Sequence, residues 1–448
     1  MNKLPFLKPG SPEDVIAWRQ GQPISRAEFR RDFARLAARL PARSAVLNHC
    51  EDRYHFLVGL AAALSRQQLS LFPPNRASET LTALRREYPD VYCLTDQGDP
   101  AEAEIMEVLE FNTPGLAPVL TQDPAFNPEQ TAVVMFTSGS TGVPKHHAKT
   151  WGSLVLESRL AGESLGLRAC GGGQVLATVP AQHMYGFTFS IMVPAQWGYV
   201  IGCERPFYPE DIRRALAASP CPVILVTTPL HIRACVLDDV LFPALDFILS
   251  STAPLEAGIA TQAEARFAAP VHEVYGSTET GAIATRRQAQ GDAWQAFAGV
   301  TVHGLEEGFR VEAPYLAAPQ TMGDSIDIQA PGRFTLLGRS AEIVKIAGKR
   351  VALGDLNRHL LAIDGVRDGT FFLPDPEAGR EARLIAFVVA PSCSREQILE
   401  ELRRRIDPVF LPRPLRLVER LPRNATGKLP RQHLAALHRE VEAKEASG

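Results

Sequence analysis

Residues 45–72 read AVLNHCEDRYHFLVGLAAALSRQQLSLF, and this stretch decides the fold class. An apolar run, AVLNH (45–49), is followed by the helix-like segment DRYHFLVGLAAALSRQ (52–67) and by a second apolar run, LSLF (69–72). Short apolar runs separated by a helix-length segment predict parallel strands buried on both faces, because the connecting helix must lie on a face of the sheet.

The same alternation continues outward. A helix near 78–87 leads into VYCL (91–94), and further strands are expected at TAVVMF (131–136), QVLATV (174–179), YVIGC (199–203), VILVT (223–227), LDFILS (245–250) and VHEVY (271–275). After about residue 330 the pattern changes. FTLLGR (334–339) precedes a shorter series: a strand at 343–347, a helix near 354–362, paired strands at 369–373 and 383–389, and a helix at 395–406. The expected class is α/β, with a large N-terminal domain of layered, mostly parallel sheets and helices over 1–338 and a smaller α+β domain over 339–448.

Of the 448 residues 45% are apolar and 22% charged, an ordinary globular composition that excludes global disorder. The formal charge of −3 gives no electrostatic reason to expect a nucleic-acid or anionic-membrane binder, so a small-molecule substrate is expected. Residues 340–448 hold 19 basic against 15 acidic residues, which makes the tail end the basic part. Seven cysteines without a C-x-x-C pair read as reduced thiols of a cytoplasmic protein, with neither a disulfide framework nor a zinc site. The opening MNKLPFLKPGSPED lacks a sustained apolar run, and Phe56 to Leu64 gives about nine apolar residues where a membrane span needs ~20, so a soluble, untargeted protein is expected.

The strongest local signal directly follows TAVVMF: Thr137-Ser138-Gly139-Ser140-Thr141-Gly142-Val143-Pro144-Lys145. Hydroxyls, two glycines and a lysine at a strand end form a loop whose backbone N–H groups can point at an anion, while the hydroxyls donate to phosphate oxygens and Lys145 adds a point charge. A plain surface turn has the same composition. A Walker A loop fits worse, because it has four residues between its glycines and Lys-Ser/Thr after them. Here two residues separate Gly139 from Gly142, and His146 follows Lys145.

A second cluster, Val274-Tyr275-Gly276-Ser277-Thr278-Glu279-Thr280-Gly281, ends an apolar strand. The Tyr275 ring can lie against a flat base and Glu279 offers a hard oxygen to Mg²⁺; the plainer reading of Glu279 is a first-turn helix acid. Gly323-Asp324 and Gly338-Arg339 come third: an aspartate able to accept both hydroxyls of a ribose, and an arginine able to clamp phosphate or ribose oxygens, although singly such residues are also ordinary turn or ion-pair residues. Last, Leu421-Pro422-Arg423-Asn424-Ala425-Thr426-Gly427-Lys428 presents Lys428 after a flexible glycine, or simply exposes it to solvent.

Taken in this order, the four segments resemble the signatures of the AMP-forming adenylating enzymes, the superfamily of acyl- and aryl-CoA synthetases, adenylation domains and luciferases. The resemblance spans roughly residues 40–431. It implies that Thr137, Ser138, Gly139, Ser140, Thr141, Gly142 and Lys145 surround the β- and γ-phosphates of ATP. Tyr275, Gly276, Ser277 and Thr278 would lie on the adenine side with the loop Ser251-Thr252-Ala253-Pro254, and Glu279 and Thr141 would hold Mg²⁺. Asp324 would bind the ribose hydroxyls with Arg339 nearby, and Lys428 would bridge the substrate carboxylate and the α-phosphate. His183, in VPAQHMYGF, matches a residue at the mouth of the carboxylate pocket, and reads equally as a buried histidine bonded to a backbone carbonyl. Pocket residues are expected near 183–188, 227–230 and 251–254, with Gly276 and Gly281 at the floor.

The implied activity is ATP-dependent activation of an aryl or short-to-medium acyl acid to an acyl-adenylate, with loss of pyrophosphate. Transfer to the pantetheine thiol of CoA or of an acyl carrier protein would follow, the smaller domain acting as a mobile lid that rotates about a hinge at 338–342. The hinge departs from the family pattern, since Ala341 stands where aspartate is common. That departure motivates the alternative of a degenerate nucleotide-binding or carrier-docking scaffold without ligase activity. Arg403, Arg404, Arg405, Arg413, Arg416 and Arg420 could meet CoA phosphates or an acidic carrier helix, or form a solvated face paired with Glu400 and Glu401.

Overall fold

The computed structural model describes residues 2–98, 100–111, 120–137, 145–167, 172–306, 308–339, 343–346, 349–374, 383–423 and 429–446. Residues 45–72 form the strand Ala45–Asn48, the helix Arg53–Ser65 and the strand Leu69–Phe72, with the two strands parallel and Ala45 paired to Leu69. Asp52 starts the helix by accepting the N–H groups of Tyr54 (2.9 Å) and His55 (3.2 Å), donors that a first turn leaves without intrahelical partners. Every helix residue except His55 and Ser65 is buried. A helix apolar all round is stable only between layers, and this one packs against strands of two different sheets.

The chain divides into two compact units: residues 1–291 with 295–300 and 312–320, and residues 292–294 with 301–311 and 321–448. In the first unit the smaller sheet runs Lys145–Thr150, Thr131–Thr137, Leu69–Phe72, Ala45–Asn48, Tyr92–Thr95, Val108–Glu110, parallel except for the first strand, which closes a hairpin on Thr131–Thr137. The larger sheet has six adjacent parallel strands, Val271–Ser277, Phe247–Ser250, Val223–Thr227, Gln174–Ala177, Val200–Gly202 and Val15–Arg19, flanked by antiparallel Gly281–Arg286 and Gln22–Ser25. Phe56 from the sandwiched helix, Phe72 and Phe187 close the core between the sheets, the last two edge-on with centroids 5.2 Å apart.

In the second unit, Asp324–Ala330 and Arg333–Arg339 form a hairpin, as do Ile343–Ile346 and Lys349–Ala352. A three-stranded sheet of Asp368–Phe372, Ile385–Val389 and Leu415–Leu417 carries the helices Leu353–Leu361 and Arg395–Arg405 over a core of Leu356, Leu360, Phe371, Ala386, Ile398 and Leu402. Residues 321–338 cluster with this unit. No helix among the described residues is long and apolar enough to cross a membrane.

Three arginines of the basic tail are paired with acidic neighbours on their own helix. Arg403 reaches Glu400 at 3.3 Å, Arg404 reaches Glu401 at 3.1 Å and Arg405 reaches Glu401 at 3.2 Å, the solvated-face arrangement. Arg416 departs from its expectation as a partner-binding charge, because it is buried and its Nη1 lies 3.1 Å from Nδ1 of His438 on the C-terminal helix Arg431–Ala446.

Candidate active site

The loop that follows TAVVMF spans a hairpin. Thr137 and Lys145 are directly paired across the antiparallel strands Thr131–Thr137 and Lys145–Thr150, so both ends of the loop are fixed in register. Ser138, Gly139, Ser140, Thr141 and Gly142 lie outside the described residues. Lys145 opens the second strand and is exposed.

Side chains alternate along a strand, so Lys145, His147 and Lys149 share a face. His147 Nε2 lies 3.1 Å from Thr137 Oγ1 and 3.5 Å from Glu279 Oε1, and Lys149 Nζ donates to the Glu279 carbonyl at 3.0 Å. The second cluster is therefore docked on the hairpin that carries the first. Burial holds the His147 ring below the ordinary histidine range despite the facing carboxylate. Burial alone would raise Glu279, but its own backbone N–H, the Ser277 hydroxyl, His147 and Lys145 outweigh that and hold the carboxyl below its usual range. An ionised, partly exposed carboxylate beside hydroxyls is a donor set that suits a hard divalent cation.

The turn bearing Glu279 is built by its own side chains. Thr280 Oγ1 accepts the Ser277 N–H at 3.0 Å and Ser277 Oγ accepts the Thr280 N–H at 3.1 Å. A strand, Gly281–Arg286, follows, so the reading of Glu279 as a first-turn helix acid is corrected: the segment is strand, turn, strand. A bulge between Tyr275 and Gly276 displaces the backbone here. A Cβ on Gly276 would sit 2.0 Å from the Gly281 carbonyl oxygen, and one on Gly281, which has φ +72°, would sit 2.6 Å from the Glu157 carboxylate. Glu157 is fully buried and accepts the Ala282 N–H at 3.0 Å. Burial pushes Glu157 above the ordinary carboxylate range and pulls Lys149 below the ordinary lysine range, each partly offset by the other's charge. Gly281→Ala is expected to cost about 1–3 kcal/mol from the left-handed backbone and the displaced carboxylate, read as a lower midpoint in denaturant unfolding; an unchanged midpoint contradicts the packing described.

The loop Ser251-Thr252-Ala253-Pro254 leaves the strand Phe247–Ser250 beside Tyr275. Ser251 Oγ donates to the Val274 carbonyl at 2.8 Å, and Glu273 accepts the Leu255 N–H at 3.0 Å and Arg286 Nε at 2.7 Å. Thr252 has φ +82°, a conformation costing a residue with a Cβ on the order of 1–3 kcal/mol and persisting where the surroundings impose it, as at ligand clamps.

His183 precedes the short helix Met184–Phe187, its carbonyl accepting the Phe187 N–H at 2.7 Å, and it is partly exposed, which corrects the reading of a buried histidine. At 227–230 sequence reasoning missed His231. That ring is buried and bonded through Nδ1 to Thr228 Oγ1 at 2.9 Å, and Thr227 Oγ1 lies 2.8 Å from Thr178 Oγ1. Burial pulls His231 down to about 4, so it is neutral at physiological pH.

In the second unit, Asp324 and Arg339 occupy directly opposed positions of their hairpin. Lys428 lies outside the described residues, as do 424–427, but the chain entering that segment is clamped: Arg423 donates to both oxygens of Asp368, at 2.8 and 2.7 Å. One mixed donor set stands apart from the motifs. His49 Nδ1 lies 2.6 Å from Glu102, Cys93 Sγ donates to the same carboxylate at 3.1 Å, and all three are buried and bonded to one another.

Residues 35–306 match the family model described as AMP-binding enzyme, and residues 360–428 match the AMP-binding enzyme C-terminal domain. The chain is 30% identical over 306 residues to 4-coumarate–CoA ligase of Halorhodospira halophila, covering 65% of this chain and 73% of that protein. It is 28% identical over 353 residues to sulfoacetate–CoA ligase of Cupriavidus necator, covering 69% and 68%. Among solved structures, ATP-bound MatB from Rhodopseudomonas palustris superposes with a TM-score of 0.82 at 18% identity over 97% of each chain. The o-succinylbenzoate CoA synthetase of Bacillus subtilis, in complex with its acyl-adenylate, gives 0.80 at 17% identity over 95% of this chain and 96% of that one.

Proposed function

Because the chain belongs to the AMP-binding enzyme family, we propose that its motif residues perform the two half-reactions of an acid–thiol ligase. The protein activates a carboxylic acid with ATP and passes the acyl group to CoA. A carboxylate cannot acylate a thiol directly, because its leaving group would be oxide. In the first half-reaction a carboxylate oxygen attacks the α-phosphorus of ATP, a new P–O bond forms, and the bond to the bridging oxygen breaks to release pyrophosphate. In the second, the thiol sulfur attacks the acyl carbonyl carbon, loses its proton, and AMP leaves with the former carboxylate oxygen.

Both first-step reactants are anions, so positioning and opposite charge supply most of the rate. The observation that carries the residue assignment is the seating of Glu279 against the fixed ends of the 138–144 loop. Lys145, Thr137 and the loop hydroxyls hold the β- and γ-phosphates, Tyr275 and the strained 251–254 loop hold the adenine, and Asp324 with Arg339 holds the ribose. Mg²⁺, held by Glu279 and Thr141, supplies positive charge on the phosphate oxygens when bound. Lys428 bridges carboxylate and α-phosphate. The chain pivots at 338–342, between domains 1–338 and 339–448, so that Lys428 withdraws and Gly348-Lys349-Arg350 faces the pantetheine arm. The exposed cations of the small domain, which include Arg403 and Arg404, also offer a face to an acyl carrier protein as alternative acceptor.

The relatives named for 4-coumarate and sulfoacetate support a compact aryl or short-to-medium acyl acid as substrate. Incubation with ATP, Mg²⁺ and a panel of such acids is expected to release AMP and pyrophosphate only with an accepted acid, and chelation of the metal is expected to stop it. ADP as the nucleotide product, or turnover indifferent to the acid, defeats the proposal.

A further inference from the structure

The motif roles stop at Lys145, yet the strand continues for one more face-sharing pair. His147 Nε2 stands between Thr137 Oγ1 at 3.1 Å and Glu279 Oε1 at 3.5 Å, while Lys149 Nζ holds the carbonyl of the same glutamate at 3.0 Å. The ring nitrogen faces a carboxylate, and a bare lone pair there would be repelled, so Nε2 carries the hydrogen. Thr137 then accepts rather than donates toward the ring, which leaves its own hydroxyl hydrogen to point elsewhere.

We propose that His147 is a positioning residue for the first half-reaction. Its Nε2–H is shared between Thr137 Oγ1 and Glu279 Oε1, so one ring fixes the glutamate carboxylate against the start of the phosphate loop. Lys149, itself buried, restrains the backbone of residue 279 from the same strand, and the charge of Glu157 offsets part of the cost of its burial. The metal-binding carboxylate is thereby held at both its side chain and its peptide before any nucleotide arrives, and groups that orient a metal ligand are worth 10–100-fold in metal affinity. The proposal rests on the reading of Glu279 as the Mg²⁺ ligand.

The test is calorimetric titration of the full chain with ATP, with and without Mg²⁺, alongside thermal unfolding. His147→Val is expected to shrink the gain in ATP affinity conferred by Mg²⁺ by about 10–100-fold, while ATP binding without metal changes little and the unfolding midpoint holds. His147→Gln, whose amide N–H reaches the same place, is expected to restore most of that gain. If His147→Val keeps the full Mg²⁺-dependent gain while Glu279→Ala loses it, the positioning role is overturned and the ligand reading stands. If neither variant loses it, the ligand reading itself fails. Equal loss with and without metal in both His147 variants, with a lower unfolding midpoint, would reduce His147 to a structural residue and also overturn the proposal.

Discussion

Lys428→Ala is expected to slow acid-dependent pyrophosphate–ATP exchange by about 10²–10³-fold, the loss seen when one preorganised donor is removed from a developing charge. In the first half-reaction a carboxylate must approach a polyphosphate, and a cation that touches both is worth most where charge accumulates between them. Lys428→Arg keeps the charge but spreads it over a planar fork, so it should recover only part of the rate. Thioester formation from a supplied acyl-adenylate should change far less, because the proposed pivot withdraws the lysine before that step. The clamp of Arg423 on Asp368 anchors the chain five residues upstream of Lys428. Exchange at the wild-type rate in Lys428→Ala would falsify the assignment.

Arg53→Ala is expected to destabilise the first unit by about 3–5 kcal/mol. The residue is 1% exposed, and its guanidinium makes four hydrogen bonds: Nε to Ser190 Oγ at 3.2 Å, Nη1 to the Glu204 carbonyl at 2.7 Å, and Nη2 to the carbonyls of Ala177 at 2.8 Å and Val179 at 2.5 Å. Burial pulls its pKa down to about 10, which still leaves it charged at neutral pH. Removing it takes a donor from the buried carbonyls of Ala177 and Val179, and a buried acceptor left without a donor costs about 1–3 kcal/mol. Arg53→Met fills the volume of the stem but donates nothing, so a loss close to that of alanine would assign the cost to hydrogen bonding rather than to a cavity. Denaturant unfolding followed by circular dichroism reads both variants; a shift within about 0.5 kcal/mol of wild type, typical of a surface change, contradicts the network. Ala177 and Val179 lead directly into the segment carrying His183, so this arginine also braces one expected wall of the acid pocket.

Element positions were legible wherever a strand was buried on both faces. VILVT (223–227) and TAVVMF (131–136) are apolar runs bounded by turn residues, and each lies where expected, the second one residue longer. The strand Lys145–Thr150, KHHAKT, was not legible, because an edge strand that presents one face to a polar site needs no apolar alternation. Gly281–Arg286 was hidden for a related reason: Gly281 at its start, with Thr278 and Thr280 just ahead of it, reads as turn residues.

The sequence by itself pointed to the class of chemistry through the resemblance of four segments, among them 137–145 and 274–281, to the AMP-forming adenylating enzymes, since each segment is local information carried by neighbouring residues. Only the tertiary structure decided that His147 and Lys149 belong to the Glu279 turn, that Thr252 is strained and that Arg53 is a buried hub. Residue pairs 130 or more positions apart, such as Lys149 with Glu279, meet through sheet register and layer packing, and no local pattern encodes which distant strand will lie alongside.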